Sequence, residues 1–152
     1  MRKSIGLVIF ILLLSCKSAG SHTDLSSARV KYLTSQGRNS LTVQSTDLGN
    51  NQDQAIFNAK KLAFQNLFFR GISGSPFNDP LIGINERQGY KANETYFKEF
   101  YSGRMESFIL SSSENLEKVK GGQKLAKVTL QINLRALRKD LEDKSVIKKF
   151  GL

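Results

Sequence analysis

Between Ala126 and Leu134 the chain reads Ala-Lys-Val-Thr-Leu-Gln-Ile-Asn-Leu, with every second residue apolar and polar residues between them. Apolar positions at period two set one face of a strand against a core and leave the other in water. Gly121-Gly122 just upstream suits a hairpin turn from a strand near 114–119. A second β signal lies near the start, where Leu41-Thr42-Val43 alternates between Gly37 and Gly49-Asn50. A strand over about 28–33 precedes it.

The segments between these strands have helical periodicity. Asn51-Gln52-Asp53-Gln54 offers cap and first-turn residues, and Ile56, Ala59, Ala63 and Leu67 recur at spacings of three and four. Leu62, Phe64 and Phe68 widen that stripe enough to cover a sheet, and Gly71 suits the helix end. A second helix is expected from 93 or 94 to 108, with Phe97, Tyr101, Met105 and Phe108 on one face. A last helix carries Leu137 and Leu141, and Val146, Ile147 and Phe150 form a terminal turn. This order gives an α+β fold: a small antiparallel or mixed sheet with two to three helices packed on one face.

The counts exclude several chemistries. One Cys cannot build a disulfide framework or a two-cysteine metal site, and one His leaves Ser-His-Asp catalysis only His22. At 152 residues the chain is too short for two ordinary domains. Neither a metal nor a cofactor is expected, and the protein reads as a non-enzyme.

Three features remain as candidate sites. The connection from Gly71 to Ala92 is far longer than usual and carries Gly71, Gly74, Pro76, Phe77, Asp79 and Pro80, which suit either a binding lip or a structural loop. Gly71-x-x-Gly74 is not a phosphate cradle, because it follows a helix C-terminus, where the helix dipole repels anions. The aromatic run Tyr96-Phe97-Lys98-Glu99-Phe100-Tyr101, with Glu94, suits a glycan-binding or glycan-hydrolysing helix if its rings are exposed, and a core if they are not. Lys124, Lys127, Arg135, Arg138 and Lys139 form a candidate basic surface in a chain with 23 Lys+Arg against 13 Asp+Glu.

The N-terminus decides which partners such a surface meets. Arg2-Lys3 precede ten uncharged residues, Ile5–Leu14, a run that as a helix rises only roughly 15 Å and cannot span a bilayer. It reads as a signal peptide covering 1–15. Leu13-Leu14-Ser15-Cys16 resembles the lipobox of bacterial lipoproteins, which implies that Cys16 carries a diacylglycerol and becomes the first residue of the mature chain. Several acyl chains hold a protein stably at a membrane. Lys17 in place of Asp then implies the outer membrane, and the lack of an acidic cluster in Ser18-Ala19-Gly20 implies its periplasmic face. Residues 16–27 read as a flexible tether and 28–152 as one domain. Removing Arg2 and Lys3 leaves 21 cations against 13 acids, or +8. The expected partners are the membrane, through acylated Cys16, and an envelope protein, not nucleic acid; the basic residues themselves suit anionic lipid heads, lipopolysaccharide phosphates, an acidic protein partner or a plain solvated face.

The domain also resembles small exported lipoproteins of the Bacteroidetes group that have no assigned function. That resemblance rests on Ala55–Phe69 closing in Arg70-Gly71-Ile72, on Tyr96-Phe97 with Phe100, on Asn133-Leu134-x-x-Leu137-Arg138-x-Asp140-Leu141-Glu142, and on Ile147-x-x-Phe150-Gly151. More distantly, its first strand and Ala-rich helix are similar to the N-terminal domain of the flagellar assembly protein FlgT, which implies a scaffold or assembly role.

Overall fold

A computed structural model describes residues 29–119 and 121–149. The signal peptide, Cys16, the tether and Phe150 lie outside the described residues. The elements run β1 (Val30–Gln36), β2 (Ser40–Gly49), α1 (Gln52–Phe69), α2 (Glu86–Ala92), α3 (Glu94–Ser102), a 3-10 helix (Arg104–Phe108), β3 (Ile109–Lys118), β4 (Lys124–Asn133) and α4 (Leu134–Asp143). One sheet, in the order β1-β2-β4-β3, is antiparallel throughout. The fold is therefore α+β with the antiparallel alternative realised. No helix among the described residues is long and apolar enough to cross a membrane.

The alternation in β4 fixes the layering. Ala126, Val128, Leu130 and Ile132 are buried, and Leu41, Val43 and Ser45 of β2 stand opposite Ile132, Leu130 and Val128. α1 covers this face with Ala55, Ala59, Leu62, Ala63 and Leu67. Its start is built as the sequence implies: the Asn51 side chain accepts from the Gln54 N–H at 2.8 Å, and Asp53 sits in the positive first turn. Gly49 makes the tight entry possible, because a Cβ there would lie 2.3 Å from the Ala55 nitrogen.

Three elements depart from the sequence pattern. Leu134 is the first residue of α4, not the last of the strand, because Asn133 caps the helix by accepting from the Ala136 N–H at 3.0 Å. The helix expected to reach 108 ends at Ser102. Beyond Gly103 the chain tightens to a 3-10 helix, whose three-residue turn brings Met105 and Phe108 into the core together. α2 lies inside the long connection; it has no buried residue of its own, so it has no apolar stripe to read.

The candidate cleft between the 71–82 loop and the last helix

The loop after α1 is held as rigidly as an element. The carbonyls in the last turn of a helix lack partners within it. In α1, Asn66 O accepts from the N–H groups of Arg70 and Gly71, both at 2.8 Å, Leu67 O from Leu81 at 3.0 Å and Phe68 O from Ile82 at 3.0 Å. The returning chain thus caps the helix it left. Gly71, at φ +74°, allows the turn, and a Cβ on it would fall 1.6 Å from the Asn78 oxygen. Inside the loop, Ile72 N–H donates to Phe77 O at 2.7 Å, while the Ser75 hydroxyl donates to Ile72 O and accepts from the Phe77 N–H.

This fixed loop forms one wall of a cleft of about 1010 Å³. Pro76, Phe77, Asp79, Pro80, Leu81 and Ile82 line that wall. The first two turns of α4 supply Leu134, Arg135, Arg138 and Lys139, with Arg138 half-buried beside the leucine stripe and Arg135 and Lys139 exposed beyond it. Arg38 and Asn39 reach in from the β1–β2 turn, joined to α4 where the Arg135 N–H donates to Asn39 O at 3.3 Å. Val146, Ile147 and Lys148 close the far end. Five cations thus face two carboxylates, Asp79 and Glu142, around half-buried apolar side chains. Lys139 also donates to Asp143 at 2.5 Å on the surface, which raises its pKa and lowers that of Asp143.

The candidate residues therefore divide. Pro76, Phe77, Asp79 and Pro80 meet Arg135, Arg138 and Lys139 across the cleft. Gly71 is buried and structural, and Gly74 forms an exposed turn away from it. Lys124 and Lys127 do not join: Lys124 opens β4 opposite Gly49, and Lys127 stands opposite Thr46 on the sheet face away from α1. Sequence reasoning missed Arg38, Lys148, Glu142 and the apolar pair Val146–Ile147 as cleft residues. Their only signal was a charged or apolar side chain in or beside a turn or the end of a helix.

The aromatic helix takes the core alternative. Tyr96, Phe97 and Phe100 are buried, with Phe100 at 5.2 Å from Phe64 and 5.3 Å from Phe68 between ring centroids. These rings are core and offer no face for sugar stacking. Tyr96 donates to Asp140 at 2.9 Å, and Arg104 pairs with the same carboxylate while lying over the Tyr96 ring. Burial first, then the Asp140 hydrogen bond, pushes the Tyr96 hydroxyl far above its ordinary pKa. Glu94 and Glu99 are exposed, and Glu99 lies 3.8 Å from Arg104. No group of three or more His, Cys, Asp or Glu among the described residues could hold a metal.

Comparison with family models, curated proteins and solved structures finds no match for this chain.

Proposed function

We propose that this chain is a lipid-anchored, non-enzymatic binding factor of the cell envelope, facing the periplasm from the outer membrane. Its cleft receives an acidic segment of an envelope partner. The observation that carries this reading is the convergence of Arg38, Arg135, Arg138, Lys139 and Lys148 from three separate parts of the chain around one cleft. Two features favour a peptide over a compact phosphate. Asp79 and Glu142 would repel a bare anion of high charge, and Phe77, Leu81, Val146 and Ile147 give apolar side chains a place to bury. Cations at such a mouth speed encounter and set orientation, an effect that salt weakens.

The test uses the full-length chain and a fluorescent peptide of alternating Glu and Leu. Binding should weaken as salt rises and should be lost in the double variant Arg38→Glu/Arg135→Glu. Equal binding by that variant would refute the cleft. The anchor is tested separately: radiolabelled palmitate should enter the wild type and not Cys16→Ser.

A further inference from the structure

The two edges of the sheet are unlike each other. β1 carries cations only, Lys31 with Arg29 just before it, and its register slips between Tyr32 and Thr34. Such an edge resists pairing with its own copy. β3 is a ten-residue edge strand whose residues from Leu110 to Lys118 are all exposed. It lies at the margin of α1, whose Lys60 reaches Glu114 at 3.5 Å, and no strand pairs with its outer backbone edge among the described residues. Its only irregularity lies at its start, between Ile109 and Ser111. From Ser111 onward it is a regular strand without proline.

The charges on β3 are arranged unusually for an edge. Ser112, Glu114, Leu116 and Lys118 share the face that α1 occupies, because they stand opposite Leu130, Val128, Ala126 and Lys124 of β4. Lys118 thus faces Lys124 across the ladder, a like-charge pair that disfavours the strand end. Lys118 makes no ion pair among the described residues, whereas Glu114 lies 3.5 Å from Lys60.

We infer that two copies of this chain associate edge to edge through β3, antiparallel about a two-fold axis at Leu116, with Glu114 of each copy facing Lys118 of the other. Backbone geometry narrows the choice of register. In an antiparallel pair the N–H and C=O groups of alternate residues point to the same edge, so residues that face each other have the same parity. A two-fold axis must therefore pass through a residue. An axis at Glu114 or Glu117 sets a carboxylate against itself. One at Ser113 or Asn115 pairs no charges. The axis at Leu116 alone brings opposite charges together, twice by symmetry. It also sets Leu116, 36% exposed, against its own copy and gives Lys118 a counter-charge that it lacks among the described residues of its own chain. The product is one continuous eight-stranded sheet with both helical layers on one side and both clefts free.

The register makes a prediction that non-specific association does not share. Differently tagged full-length copies are co-expressed, solubilised in detergent, and one tag is used to recover the other. Wild-type copies should co-purify. Two copies of Glu114→Lys, or two of Lys118→Glu, set like charges at both contacts and should lose recovery at least about tenfold. A Glu114→Lys copy mixed with a Lys118→Glu copy restores opposite charges at both contacts and should recover it. Lys118→Glu breaks no contact within the fold. If Glu114→Lys unfolds for want of its Lys60 partner, Glu114→Gln mixed with Lys118→Glu should recover part of the signal. Three results would overturn the inference: no co-purification of wild type, undiminished recovery with Lys118→Glu alone, or no recovery in the mixed pair. An edge occupied by a different protein would give the first of these.

Discussion

The aromatic helix and the basic helix looked alike as candidates in the sequence, since each carries side chains that bind ligands elsewhere. In the fold they do opposite things. α3 turns Tyr96, Phe97 and Phe100 inward, where Phe97 and Phe100 interlock with Phe64, Phe68 and Phe69 from α1 and Tyr96 stacks on Phe100. α4 buries only its leucines and turns Arg135, Arg138 and Lys139 toward an open cleft. Residue type did not separate the two. The cost of exposing rings did, set against the cost of burying cations: each phenyl ring gains about 1.5–3 kcal/mol on leaving water, whereas an unpaired cation loses far more.

Breaking the solid region should cost the most. Phe100→Ala removes a ring that touches Phe64, Phe68 and Phe108 and leaves a cavity, so chemical denaturation should show a loss of about 3–5 kcal/mol. A loss typical of surface positions would mean that α3 is not core. Gly71→Ala comes next. It places a Cβ at 1.6 Å from the Asn78 oxygen at a positive φ, and about 3 kcal/mol should be lost as the loop lifts from α1. Gly74→Ala has a similar φ, +77°, but open space around it, and should cost only about 1 kcal/mol. Equal losses at the two glycines would show that the loop is not clamped as described.

A milder perturbation is pH. Burial raises the pKa of Tyr96, Tyr101 and Tyr90 above the ordinary 10.0, with the Asp140 hydrogen bond adding to it at Tyr96. The fold favours their neutral form, so this stability is complete below pH 10 and is lost as pH rises through the folded values. Thermal midpoints should fall on the alkaline side of 10. The tyrosinate absorbance of these three should appear with unfolding and not before it. Titration of all three in the folded protein would contradict the burial.

What the sequence revealed follows from which interactions are local. The strand over Ala126–Ile132 and the capped start of α1 are written in neighbouring residues, period two in one case and an Asn-x-x-Gln cap in the other, so both were legible. Leu134 was misassigned because an apolar residue at the right spacing suits a strand end and a helix start alike; only the Asn133 cap distinguishes them, and it acts through the Ala136 N–H. α2 was invisible because none of its residues is fully buried and only Tyr90 packs, half-buried, on the core. It is fixed from outside, where Arg70 pairs with Glu86 at 2.5 Å and Gly89 lets the Phe69 ring approach to 2.6 Å of where a Cβ would stand. The cleft was half legible. Its loop and its α4 cations were singled out separately, but their meeting depends on Leu81 and Ile82 returning to α1, a long-range pairing with no local signature.

The smallest expected change in stability is also the sharpest test of the division among the basic residues. Lys127→Glu and Arg135→Glu alter net charge equally, and both sit outside the core, so each should shift the unfolding free energy by no more than about 0.5 kcal/mol. Their effects on an acidic peptide should differ. Arg135 projects from the first turn of α4 into the cleft, whereas Lys127 lies on the helix-free sheet face opposite Thr46 and Asn115. If binding depends on contact in the cleft, Arg135→Glu should weaken it at least about tenfold, the loss expected when a close charge pair becomes a repulsion, and Lys127→Glu should leave it nearly unchanged at physiological salt. If binding follows total charge alone, the two variants will weaken equally, and the convergence of cations on α4 would have no bearing on recognition.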